Sequence, residues 1–415
     1  MDKDEVEKAV NLLLGQLVPS YKEVVFNIAD QVMVSAIAKA FDKSLESVKS
    51  SYRKKGDLGN VVYEIAPDKG KGMSVAEVYE SLYQIASEEG GGSVERKVSA
   101  MAGLLAGVGK ESSRFIVRIT LGKLRLGFSD KTIIDALSYL EKGDKSVRPE
   151  IEGAYQVLPD VGLLAARVKT EGWEKATRNV KAEVGVPIMP MLAQRLKSPA
   201  EMIKKMGKVA VEPKLDGLRI AIHFKRPFGK AQDKGGFVKA FTRNMHDVAW
   251  MFPELNRVGD ELSGNELILD TEAMGVDEQR MRLADFQVTM SRRRKHQIEE
   301  FRTKIPIRFY VFDILYKDGK TLLGQDYLQR RKLLEGVVRP VRQAQGKRGK
   351  PFGGAQGKLL ELVEYKLTED PEVVSEENAR RRNEGLEGIM LKKVGSGYVP
   401  GRTGWRWVKM KEAEE

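Results

Sequence analysis

The sequence predicts a multidomain chain in which an all-α N-terminal domain precedes an α+β domain with mostly antiparallel sheets, and three observations lead there. At 415 residues the chain exceeds what one ordinary core holds. Up to about residue 180 apolar residues recur at helical spacing between short polar connections. Past the proline-punctuated stretch Gly185-Val-Pro-Ile-Met-Pro-Met-Leu192 the texture changes, and from Val209 apolar residues alternate with polar ones or run in short blocks. The two domains are accordingly expected at residues 1–183 and 184–415.

In the first domain, Ser74-Val-Ala-Glu77 has capping-box spacing, with Val78, Leu82 and Ile85 on one helical face behind it. Glycines 90 to 92 break the chain. A second helix starts at an N-cap Ser129 and presents Ile133, Ile134, Leu137 and Leu140 on one face. Between them, Arg114, Arg118, Lys123 and Arg125 interleave with apolar residues and end at a glycine turn. Cations and free backbone amides at a helix end suit a phosphate backbone, although a solvated basic face has the same pattern. Gly103-Leu-Leu-Ala-Gly-Val-Gly-Lys110-Glu111 only imitates a phosphate loop, because Glu111 stands where a hydroxyl is required and no strand precedes it. It reads as a helix-turn.

In the second domain, Ser198-Pro199-Ala-Glu201 caps a short helix through Met206. Strands are expected at Val209–Lys214, Leu218–Lys225, Phe237–Arg243, Leu267–Ala273, Ile307–Tyr316, Leu359–Tyr365, Gly388–Lys393 and Trp405–Lys411, with helices at Arg280–Glu300 and Tyr327–Val338. Two glycine- and lysine-rich insertions, at about 226–236 and 339–358, share the phrase Pro-Phe-Gly-x-Ala-Gln and read as low-complexity loops.

Composition narrows the chemistry. A formal charge of +12 and a pI near 9.4 point to a polyanion such as nucleic acid, or to solubility alone. The absence of cysteine removes disulfides, thiolate zinc sites and cysteine nucleophiles. His223, His246 and His296 stand far apart, which leaves carboxylates as metal ligands and hence Mg²⁺ or Mn²⁺. The N-terminus has no apolar signal segment and no apolar run reaches spanning length, so no membrane partner and a cytoplasmic protein are expected.

The stretch Val211-Glu-Pro-Lys214-Leu-Asp-Gly217-Leu-Arg219 joins one strand to another through an Asp-Gly turn. Leu218, Ile220, Ile222 and Phe224 alternate with Arg219, Ala221, His223 and Lys225, which predicts a second strand half buried on one face. A lysine at such a lip is either a solvated turn cation or, once neutral, a nucleophile. Four more stretches place polar residues at strand ends: Asp270 and Glu272; Phe312 and Asp313; Glu387 with Lys392 and Lys393; Lys409 and Lys411, which point to one face.

Taken in order, EPKLDGLR (212–219), LDTEAMG (269–275), FYVFDIL (309–315), EGIMLKK (387–393) and WVKMK (407–411) resemble the nucleotidyltransferase motifs of ATP-dependent DNA ligases. RITLGKLRLG (118–127) and its helical surroundings resemble the DNA-binding domain of the archaeal and eukaryotic replicative branch. The resemblance implies a DNA-binding domain followed by an adenylation domain, ATP as cosubstrate, nicked duplex DNA and a sliding clamp as partners, and a monomer. It implies Lys214 as the catalytic nucleophile, with Lys409 and Lys411 offsetting phosphate charge in the transition state. Glu212, Arg219, Arg243, Glu272, Phe312, Lys392, Lys409 and Lys411 are the implied ATP contacts, Glu212 beside the adenine and Phe312 stacked on it. Glu272 and Glu387 are the implied Mg²⁺ ligands, and Arg114, Arg118, Lys123 and Arg125 the implied DNA contacts. The family continues into an OB-fold domain that this sequence, ending at Glu415, does not supply, so impaired sealing is expected of it. The rival readings are an RNA ligase or capping-type nucleotidyltransferase, and a degenerate, non-catalytic DNA-binding protein; a NAD⁺-dependent ligase would bring cysteine zinc ligands.

Overall fold

Short polar side chains start the helices where the spacing predicts. In the computed structural model Ser74 and Glu77 close a capping box, and Ser129 closes a second one with Thr132. The structure describes residues 3–124, 126–178, 180–227, 236–277, 282–283, 306–338, 358–401 and 404–411. The chain divides into two units, residues 1–155 with 159–180, and residues 156–158 with 181–415. No described helix is long and apolar enough to cross a membrane.

The first unit is helical: α1 (Lys3–Leu13), α2 (Asp30–Ala40), α3 (Leu45–Lys55), α4 (Leu58–Ile65), α5 (Val75–Ser87), α6 (Ser93–Gly107), α7 (Lys110–Thr120), α8 (Asp130–Lys142), α9 (Arg148–Val157), α10 (Val161–Glu171) and α11 (Trp173–Thr177). Helix α1 packs on α10, α2 on α6 and α4 on α7, around a core that includes Met33, Ile37, Val62, Leu82, Leu105 and Val117. The imitation phosphate loop is the junction of α6 and α7, a helix-turn with Val108 and Gly109 between the two.

The second unit is built on two sheets. One has five strands in the order β1 (Gln194–Arg195), β12 (Trp407–Lys411), β11 (Gly388–Lys393), β2 (Val209–Lys214), β10 (Lys366–Thr368). The other follows β4 (Phe237–Thr242), β3 (Leu218–Lys225), β5 (Glu266–Asp277), β7 (Ile307–Lys317), β8 (Lys320–Thr321), with β6 (Arg282–Leu283) on β5 and β9 (Leu360–Leu362) on β7. Pairing is antiparallel except β1 with β12 and β7 with β9. Helix α12 (Pro199–Met206) is capped by Ser198 with Pro199 in its first turn. With α14 (Pro371–Asn383) it covers the smaller sheet, whose core includes Met202, Val211, Val374, Ile389 and Val408.

Four expectations need amendment. The strands on either side of the Asp-Gly turn do not pair, since β2 lies in one sheet and β3 in the other. The run expected as one strand at Leu359–Tyr365 is the short β9, and the chain then crosses to the other sheet as β10. Strand β3 is not half exposed, because the linker covers its polar face: Gly185 donates its N–H to His223 Nδ1 at 3.1 Å, and the Met191 carbonyl accepts from Arg219 at 2.7 Å. Of the helix expected at 280–300, Arg282–Leu283 form instead the strand β6 paired with β5, and the rest lies outside the described residues, as do 228–235 and 339–357 of the insertions.

Helix α13 (Tyr327–Val337) is fixed to β7 by a buried ion pair. Arg330 donates to both Asp313 carboxylate oxygens, at 2.7 and 3.0 Å. That pair holds the Asp313 carboxyl below the usual carboxylate range, against the opposing effect of burial. Breaking such a pair costs about 3–5 kcal/mol, because one charge is left buried alone.

Burial pushes the fully enclosed His223 imidazole down to about 3, and Lys239 adds to the shift. In the unfolded chain histidine titrates near 6.5, so only the unfolded state takes up this proton between that pH and about 3. Stability is therefore complete above the unfolded value and falls as pH drops through it. Between pH 7 and 5 the loss from this residue is about 2 kcal/mol. Urea unfolding at both pH values should show that loss in wild type and a correspondingly smaller one in His223→Gln; equal pH dependence would contradict the assignment.

Candidate active site

Lys214 is the last residue of β2 and Leu218 the first of β3, so the corner between them steps from one sheet to the other. The step is tight. A Cβ on Gly217 would stand 2.5 Å from the Ala273 carbonyl oxygen and 3.0 Å from Glu272 Cγ. Only glycine lets the corner lie against β5 this closely.

Strand register then builds one wall of the site. Across β2, β11 and β12 the residues fall in rows: Ala210, Lys392 and Trp407; Glu212, Met390 and Lys409; Lys214, Gly388 and Lys411. Side chains of alternate residues share a face, so these rows share one surface. Gly388, at a φ of +139°, supplies no side chain between the flanking lysine positions, and a Cβ there would meet Asn378 Oδ1 at 2.9 Å. A cleft of about 540 Å³ is lined by this surface and by Leu218, Arg219, Arg243, Glu272 and Phe312. Of the expected site residues, the structure brings Lys214, Glu212, Arg219, Arg243, Glu272, Phe312, Lys392 and Lys409 to this cleft. Glu387 joins them through its contact with the Lys214 ammonium. The Lys411 backbone occupies its row, while its side chain lies outside the described residues.

Glu212 and Lys392 form the buried floor. Lys392 Nζ lies 2.7 Å from Glu212 Oε2 and 3.2 Å from the Phe312 carbonyl oxygen, and the Tyr327 hydroxyl donates to Glu212 Oε1 at 2.6 Å. The Lys392 ammonium sits 4.5 Å from the ring centres of Phe312 and Trp407. Burial pulls the Lys392 pKa below its ordinary value, with Glu212 opposing. Lys392 is thus bound to a carboxylate on the floor, not a bare cation beside Lys214.

Arg219 is held from three directions. Asp270 accepts from its Nε at 3.0 Å and from its Nη2 at 2.7 Å, Met191 accepts from Nη1, and the Tyr398 hydroxyl accepts from Nη2 at 3.2 Å. Tyr398 in turn donates to Asp270 at 3.0 Å. Burial would lower the Arg219 pKa, but Asp270, then Tyr398, hold it above its ordinary value.

The carboxylate of Glu272 is less well compensated. Burial raises its pKa to about 8, with Arg219 and Lys214 pulling down and Asp270 pushing up. Its desolvated carboxylate and that of Glu387, which contacts the same Lys214 ammonium that pulls the Glu272 pKa down, are oxygen donors that a hard cation would compensate. Among the described residues no three potential ligand side chains are gathered, so phosphate and water oxygens would have to complete such a site.

In the helical unit the expected DNA contacts already have partners. Arg114 pairs with Glu111 at 2.8 Å, Arg118 with Asp57 at 3.2 Å, and Lys123 with both oxygens of Asp30, at 2.8 and 3.0 Å. Arg125 lies outside the described residues.

Sequence reasoning named Asp270 among the strand-end carboxylates without giving it a role, and missed Tyr327 and Tyr398 as parts of the site. Asp270 carried a signal, since it alternates with Glu272 and so shares its strand face. The two tyrosines lie in a helix start and a loop, and reach the site only through tertiary packing.

A lysine set among cations and carboxylates, at a corner joining two sheets that line a cleft, makes a pocket suited to a phosphate-bearing ligand. Comparison with known proteins narrows this. Residues 190–411 match the ATP dependent DNA ligase domain, and residues 1–138 match the DNA ligase N terminus. The chain is 34% identical over 414 residues to "Probable DNA ligase" of Dictyoglomus thermophilum, covering 100% of this chain and 67% of that protein. It is 33% identical to DNA ligase 1 of Methanosarcina acetivorans, covering 99% and 68%. Among solved structures, a mycobacterial DNA ligase D complexed with ATP and MES aligns at 27% identity and a TM-score of 0.38, over 54% of this chain and 59% of that one. The chain belongs to the ATP-dependent DNA ligase family, and it spans about two thirds of the length of these curated relatives.

Replacing Gly217 by alanine drives a methyl group into the Ala273 carbonyl. The expected cost is about 1–3 kcal/mol. Gly336→Ala, where an added Cβ meets nothing within 4 Å on α13, should instead gain up to about 1 kcal/mol. Denaturant midpoints of the two variants check both, and a neutral Gly217→Ala would refute the close approach.

Proposed function

We propose that this ligase seals nicks in duplex DNA through an AMP carried on Lys214. The observation that supports this most is the placing of Lys214 at the cleft's inter-sheet corner, with Lys409, Arg219 and Arg243 lining the same cleft. In the first step Lys214 Nζ attacks the α-phosphorus of ATP, an N–P bond forms, the bond to the β-phosphate oxygen breaks and pyrophosphate leaves. The ammonium must first lose a proton, and the carboxylate in contact with it is that of Glu387. Arg243 and Lys409, with Lys411, offset charge gathering on the phosphates. The flat floor of Phe312 and the acceptor Glu212 suit a purine, and Arg219 is fixed by Asp270 to meet the sugar or phosphate. Then the nick 5′-phosphate takes the AMP from the lysine, and the 3′-hydroxyl displaces AMP as the phosphodiester forms.

Glu272 and Glu387 would hold Mg²⁺ or Mn²⁺, which when bound acts as a Lewis acid toward phosphoryl oxygens. A DNA rather than an RNA end is favoured by the match of residues 1–138 to a DNA ligase N terminus. Arg114, Arg118, Lys123 and Arg125 would meet the duplex backbone, its phosphates competing with Glu111, Asp57 and Asp30 for the described cations.

Incubation with α-labelled ATP, with and without nicked duplex, tests the reading. Wild type should acquire covalent label that nicked duplex removes. Lys214→Ala should take up none while binding duplex as wild type does. Label persisting on that variant would sink the assignment.

A further inference from the structure

Tyr327 is the first residue of α13 and belongs to none of the motifs that suggested a nucleotide site. Its side chain is nonetheless enclosed, and its hydroxyl makes the shortest described hydrogen bond to the floor carboxylate, 2.6 Å to Glu212 Oε1. The hydroxyl has little freedom. Asp326 caps the helix start, accepting from the Leu328 and Gln329 N–H groups. One turn on, Arg330 ties α13 to Asp313 through two hydrogen bonds, and the tyrosine ring rests edge-on against Tyr365 with centres 6.0 Å apart. Glu212 is therefore gripped on both oxygens, by Tyr327 on Oε1 and by Lys392 on Oε2.

We propose that Tyr327 is the positioning residue that sets nucleobase selectivity, by holding Glu212 as a fixed double acceptor at the base end of the cleft. The inference rests on the reading of the cleft as an ATP site with Glu212 beside the base. Each carboxylate oxygen has two acceptor positions, so one donor on each leaves both able to accept another. An exocyclic amino group, as on adenine, offers the matching hydrogen. A 6-oxo group in its place sets lone pair against lone pair, and leaves buried acceptors unpaired. Without the hydroxyl, Glu212 keeps only the lysine on its far oxygen and can turn toward it.

Self-labelling of the full chain with α-labelled ATP and with α-labelled ITP, which carries a 6-oxo group and an N1–H in place of the 6-amino group and bare N1, provides the test. Tyr327→Phe keeps the ring and removes the donor. It should raise the KM for ATP about ten-fold, leave kcat for labelling close to wild type, and lower the ATP-over-ITP preference by a similar factor. An unchanged preference, or a kcat loss with the preference intact, would overturn the proposal and leave Tyr327 a structural residue only. Should Tyr327→Phe not fold, Tyr365→Leu carries the test: removing the ring that braces Tyr327 should lower the same preference by a smaller factor, and an unchanged ratio overturns the idea. Glu212→Gln separates the two levels. If it leaves the preference unchanged, the placing of the base at Glu212 fails; if it shifts the preference and Tyr327→Phe does not, only the role of Tyr327 fails.

Discussion

The second unit depends on one close approach, the Asp-Gly corner lying against β5. Because Gly217 has no side chain, β2 can end and β3 begin within a few residues while belonging to different sheets. That constraint decides where the chemistry sits. It puts Lys214 at the end of one sheet, Arg219 at the start of the other, and the cleft against both. Had the turn closed a hairpin, Lys214 would stand at a sheet edge in water, the solvated alternative that its motif alone left open.

Around the cleft the protein accepts three buried ion pairs: Lys392 with Glu212, Arg219 with Asp270, and Arg330 with Asp313. Such pairs seldom add net stability, since desolvation takes back most of the Coulomb gain. What they provide is position. Each is completed by further hydrogen bonds, from Tyr327 to Glu212, from Tyr398 to Asp270, and from Arg330 to the Gln325 carbonyl. A ligand entering the cleft meets groups that need little reorganisation. Glu272 and the contact of Lys214 with Glu387 differ in kind. There the charge balance is looser, which suits the proton exchange and cation binding proposed for them.

Much of this was legible in the sequence, for physical reasons that can be named. Ser74, Ser129 and Ser198 cap helices because a short side-chain oxygen satisfies a free N–H, and that signal is local. Alternation identified β3 and β12, and short apolar blocks identified β2, β5, β7 and β11, which placed Lys214, Glu272, Phe312, Lys392 and Lys409 on their strands. Sheet membership was not legible: nothing between Lys214 and Leu218 says that the two strands part company, or that Leu359–Tyr365 breaks between two sheets. Nor were the second partners of charged residues. His223 and Arg219 read as an exposed strand face because their cover, Gly185 and Met191, comes from a linker whose path local pattern does not encode. The same holds for Tyr327 and Tyr398, whose roles arise where distant segments meet.

The central claim is that the inter-sheet corner makes Lys214, among the chain's 41 lysines, the one that takes up a nucleotide. Peptide mapping by mass spectrometry after incubation with ATP and magnesium tests it most directly. The account predicts a single AMP adduct, on the peptide that carries Lys214. An adduct on Lys392, Lys409 or any other lysine, with Lys214 unmodified, would contradict it.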